Sequence, residues 1–104
     1  MKECENLEVE VEINGYPFMV KFVKKTEIEG SDGITYHNDR VIKIRDDLDE
    51  IATTLILRHE LVHAFLGTQG RVFQRKFNVE EVCEFISYCS PVIESVIEEV
   101  RRKL

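Results

Sequence analysis

From Leu7 to Ile13 the chain alternates strictly, with Leu7, Val9, Val11 and Ile13 on one face and Glu8, Glu10 and Glu12 on the other. A period of two predicts a strand with one wet face. Asn14-Gly15 follows, a pair that tolerates positive φ in a tight hairpin turn, and residues 16–23 return as a second strand with Pro17 near its start. Residues 24–31 are polar and loop-like, Asp32 and Gly33 mark another turn, and residues 34–36 and 41–45 read as short strands around His37-Asn38-Asp39-Arg40. These segments predict a small antiparallel sheet of three or four strands. The 41–45 strand is either its edge, free to pair with an extended peptide, or a core strand.

The pattern then lengthens to a helical period. Residues 51–66 carry Ile51, Leu55, Ile56, Leu57, Leu61, Val62, Phe65 and Leu66, apolar on nearly all sides, which predicts a buried helix. Asp46 or Asp47 can cap its free amides, with Asp49 or Glu50 three residues on, and Gly67 and Gly70 end it. Residues 68–77 read as irregular, anchored by Phe73 and Phe77, before Asn78 caps a helix with Val79, Val82, Cys83 and Ile86 at helical spacing. Ser90-Pro91 is a kink or a fresh start, since proline costs little in a first turn. A second stripe of Val92, Ile93, Val96, Ile97 and Val100 runs to the polar end, with Glu94, Glu98 and Glu99 as a solvated face. The expected class is α+β: a sheet packed on one buried helix and one or two C-terminal helices, with residues 1–104 as a single domain.

Composition narrows the function classes. At 104 residues there is room for one core. The net charge of −6 and pI near 5.1 argue against nucleic acid as a partner, because a phosphate backbone demands a basic surface. No segment approaches the roughly 20 apolar residues that span a bilayer, and residues 1–6 carry no apolar run of the secretory kind, so a cytoplasmic location is expected. Cys4, Cys83 and Cys89 are odd in number and form no C-x-x-C pair, consistent with reduced thiols and with Cys83 as core packing.

Chemistry concentrates in the 51–66 helix, which carries His59-Glu60-Leu61-Val62-His63. Four residues advance a helix by a little over one turn, so both imidazoles share a face and can grip one metal ion. This H-E-x-x-H spacing is a zinc signature in which the glutamate takes a proton from the metal's water. A catalytic zinc usually has three protein ligands. His37 is the only other histidine, and Glu80, Glu81 and Glu84 lie on the next predicted helix, where an antiparallel neighbour returns a carboxylate to the metal. Glu81 borders the apolar stripe and is the preferred third ligand, ahead of Glu80.

The segment 59–66, His-Glu-Leu-Val-His-Ala-Phe-Leu, followed by Glu-Glu-Val-Cys-Glu-Phe-Ile at 80–86, resembles the small metallopeptidase-like proteins of the ImmA/IrrE type, in particular short versions from phages and mobile elements. The resemblance covers roughly residues 33 to 88 and implies a minimal zincin-like fold of the gluzincin kind. The family's Glu-Ala-Asn-x-Phe element lays its glutamate on Glu81, with Val82 and Cys83 replacing Ala and Asn and Phe85 matching the aromatic. A metzincin would need glycine and histidine where Leu66 and Gln69 stand, and an aspzincin an aspartate in place of Arg71.

The resulting expectation is a zinc-dependent endopeptidase acting on a protein or peptide substrate. Zinc on His59, His63 and Glu81 activates water, Glu60 serves as general base, and Tyr36, His37 or Arg40 is a candidate oxyanion donor. The alternative is an inactive zincin-fold protein that uses zinc structurally or binds a regulatory partner.

Overall fold

The computed structural model of the chain describes residues 7–68 and 79–103. In it, β1 (Leu7–Ile13) pairs antiparallel with β2 (Tyr16–Val23), Ile13 opposite Tyr16. Asn14 and Gly15 both hold positive φ, 53° and 85°, in the turn between them. Local chemistry therefore fixes this register, as the alternation requires.

β3 (Gly33–Tyr36) and β4 (Val41–Arg45) form a second antiparallel hairpin, but the sheet order is β1-β2-β4-β3 and β4 runs parallel to β2. The sheet is thus mixed, which corrects the all-antiparallel expectation, and residues 41–45 are an interior strand rather than the edge. The reason lies in side chains. Ile42 and Ile44 of β4 are fully buried, whereas β3 offers only Gly33 and Thr35 on that face, so the more apolar strand takes the interior. The segment joining β2 to β3 is not purely a polar loop, because it includes a 3-10 turn, Lys25–Ile28, that buries Ile28.

The inward face of the sheet, with Val9, Val11, Ile13, Phe18, Val20, Phe22, Ile42 and Ile44, packs against two helices. α1 (Glu50–Thr68) buries Leu57, Leu61, Ala64 and Phe65. Its cap is Asp49, whose Oδ1 accepts the Ala52 amide at 2.7 Å, and not Asp46 or Asp47. The helix continues through Gly67 to Thr68, whose hydroxyl donates to the Phe65 carbonyl at 2.7 Å and accepts Asn14 Nδ2 at 2.8 Å. The hairpin turn is thereby pinned to the end of α1. Gly70, Phe73, Phe77, the Asn78 cap and Cys4 lie outside the described residues.

α2 (Val79–Lys103) is one helix that runs through Pro91. Its buried stripe of Cys89, Ile93, Val96, Ile97 and Val100 stays in phase on both sides of the proline, and that packing offsets the roughly 3 kcal/mol an interior proline costs. The expected stripe of Val82, Cys83 and Ile86 is instead exposed. Cys83 is six residues from Cys89, about 120° away round the helix and off the buried stripe, so Cys89 is the core thiol and burial pushes its pKa up.

Arg45 joins three segments at the end of β4. Its guanidinium donates to both Asp47 oxygens at 2.6 and 2.9 Å and to Asp32 Oδ1 at 2.9 Å, tying the entries to β3 and α1 together. The Arg45 hydrogen bonds lower the Asp47 carboxyl to about 2 and hold the guanidinium above its usual range. A carboxyl whose pKa is depressed on folding stabilises the fold above its unfolded value of about 3.9, and that contribution disappears as pH falls through the folded value. The melting-temperature advantage of wild type over Asp47→Asn is expected to be full at pH 6 and to shrink between about pH 4 and pH 2. An advantage unchanged across that window would show that the ion pair does not contribute.

Candidate metal centre

The five motif residues occupy the middle of α1, where the two faces of the helix meet different surroundings. His59 and His63 lie on its exposed side, with ring centroids 4.9 Å apart and planes at 73°. The same side exposes Ile51 (75%) and Leu55 (58%), so the expectation of a helix buried on nearly all sides is corrected. A sheet and one partner helix cover only part of the circumference of α1.

Glu60 is the reverse case, with only 6% of its surface exposed. Its carboxylate turns toward β3, where the Thr35 hydroxyl lies 2.6 Å from Oε1 and 3.2 Å from the Glu60 carbonyl oxygen. Among the described residues no buried side-chain nitrogen or oxygen lacks a hydrogen-bond partner. Reading the sequence did not single out Thr35. A threonine on the inward face of a short strand was its one available signal, and the face could be assigned only once the strand's register was known.

Gly33 is the other residue the sequence undersold, read there as part of a turn. It lies in β3, and a Cβ at this position would come 2.8 Å from Ile56 Cγ2 and 3.2 Å from Glu60 Cγ. Glycine is thus what lets the strand and the helix approach so closely.

The three candidate oxyanion donors sit at the far end of the same hairpin. Tyr36 ends β3 with Lys43 Nζ 5.5 Å from its ring centroid, and Arg40, at φ 55°, stacks 5.1 Å from the Tyr16 ring centroid. His37 and Arg40 line a recess with Tyr16, Phe18, Gly67 and Thr68, at the end of α1 rather than beside its middle.

Glu80, Glu81 and Glu84 lie in the first turns of α2, around an open groove with Cys83, Phe85, Ser87 and Tyr88. Among the described residues no three of His, Cys, Asp and Glu come together as a group that could hold a metal ion. The donor set fits zinc as far as two imidazoles one turn apart and open to solvent, half of a tetrahedral shell.

Comparison of this chain with protein families, with curated proteins and with solved structures finds no match in any of the three. Among the described residues no helix is long and apolar enough to cross a membrane.

Proposed function

We propose that this chain is a small cytoplasmic zinc-dependent metallopeptidase of the ImmA/IrrE type, with Glu60 as its general base. The observation that carries the reading is the division of labour within one helical turn. The two imidazoles face solvent, where an ion and a peptide can reach them, while the carboxylate between them is buried and hydrogen-bonded. A merely solvated H-E-x-x-H would expose all three.

His59 and His63 would hold the zinc, and Glu81 is the third ligand that the resemblance implies. When bound, zinc supplies a Lewis acid that polarises a peptide carbonyl and acidifies water. Glu60 accepts a proton from the attacking water as its oxygen bonds to the carbonyl carbon. It then delivers that proton to the amide nitrogen as the carbon–nitrogen bond breaks, so carboxylate and charge are restored at the end of the cycle. The substrate is a protein or peptide in extended form. Among the described residues β3 is the last strand of the sheet order and packs beside α1, so its outer edge offers backbone groups for strand addition near Glu60.

The test is full-length protein loaded with zinc, with metal content measured by elemental analysis and an unbiased peptide library as substrate. One zinc per chain and defined cleavage sites are expected, and Glu81→Ala should weaken zinc binding more than Glu80→Ala does. Stoichiometric zinc with no cleavage of any peptide would replace this reading with that of a non-hydrolytic zincin-type binding protein. Failure to bind zinc would remove both.

A further inference from the structure

Two rows of cross-strand partners reach the edge of the sheet beside α1. Val9, Val20, Ile42 and Thr35 form one, and Leu7, Phe22, Ile44 and Gly33 the next. The first row is buried and apolar until its last member, where a hydroxyl replaces a methyl group in contact with the helix. The hydroxyl lies 2.6 Å from Glu60 Oε1, the shorter of its two approaches, and 3.2 Å from the Glu60 carbonyl oxygen. Gly33 ends the second row at the point of closest approach, so the missing Cβ is what brings Thr35 within reach.

We propose that Thr35 is a positioning residue for Glu60: by donating to Oε1 it fixes the carboxylate on the inward side of the helical turn that carries His59 and His63, and leaves Oε2 to take the proton. Because Thr35 belongs to the edge strand, the same residue keeps the peptide-binding edge in register with the general base. The effect on turnover rests on the metallopeptidase reading. The pairing itself rests only on the geometry.

Two measurements test these separately. In chelator-treated full-length protein, melting temperatures of wild type, Thr35→Val, Glu60→Ala and the double variant form a cycle. Thr35→Val should lower the melting temperature in the wild-type background and change it little when Glu60 is already alanine, while Thr35→Ser stays near wild type. Losses that simply add would overturn the pairing.

In zinc-loaded protein, with a peptide selected from the library, Thr35→Val should lower kcat at least about tenfold with KM within about twofold, and Thr35→Ser should recover most of the loss. A valine variant with wild-type kcat would overturn the positioning role. Wild-type protein that cleaves nothing would instead defeat the metallopeptidase reading, and the melting cycle would still decide whether Thr35 holds Glu60.

Discussion

Glu60→Gln is expected to lower kcat by about 10² to 10⁴-fold, the usual contribution of a positioned general base, with zinc content and folded structure intact. Glutamine has the same shape and keeps an oxygen that accepts the Thr35 hydroxyl, so the bond at 2.6 Å survives in kind. The buried site, 6% exposed, gains a neutral group in place of a charge and loses no volume. What disappears is the capacity to take a proton from water. Turnover of library peptides, zinc stoichiometry and melting temperature should be measured on the same preparations. If the glutamine variant cleaves at the wild-type rate, Glu60 is not the base. If it loses zinc or unfolds, the buried site requires the carboxylate itself and not only an acceptor for the Thr35 hydroxyl.

Phe65→Ala is expected to destabilise the fold by about 3–5 kcal/mol, the range for removing a buried phenylalanine. Phe65 has no exposed surface and stands where α1 meets the first half of α2, edge-on to Phe85 at 5.7 Å and to Tyr88 at 5.8 Å. The two neighbours cannot close the cavity, because Tyr88 is mostly exposed and Phe85 already packs at the edge of the core. Each kcal/mol shifts the melting temperature of a domain this size by about 4–8 °C, so a fall of at least roughly 12 °C should be seen. Phe65→Leu, which keeps most of the volume, should lose clearly less. A drop of only a few degrees for the alanine variant would mean that α2 does not pack on α1 through this ring.

The same contact has a functional side. Glu81 sits four residues before Phe85 on α2, so whatever anchors Phe85 also anchors the helix turn carrying the proposed third ligand. Zinc affinity should therefore fall in Phe65→Ala even at temperatures where the variant is folded, and should recover in Phe65→Leu.

How much could be read from the residues alone varied by segment, for identifiable reasons. The β1–β2 hairpin was legible in full because period-two alternation and a two-residue Asn-Gly turn are local rules, and no distant contact can shift one without breaking the other. The H-E-x-x-H helix was legible for the same reason, as was the Ile93 to Val100 stripe. Cys83 was read as the core thiol and Cys89 holds that place instead, since each fits some helical phase and only the position of the sheet chooses between them.

By itself, then, the sequence determined the β1–β2 hairpin, the cores of β3, β4 and α1, and that two imidazoles and a carboxylate share one turn of α1, because these follow from periodicities of two and 3.6 residues. Tertiary structure alone decided that β4 slips between β2 and β3, that the histidines face out while Glu60 faces in, and that Thr35 and Gly33 meet the helix. The physical reason is that burial is settled by competition. In a chain of this size there is apolar surface enough to cover one side of α1, and which side wins depends on strands more than ten residues away in sequence.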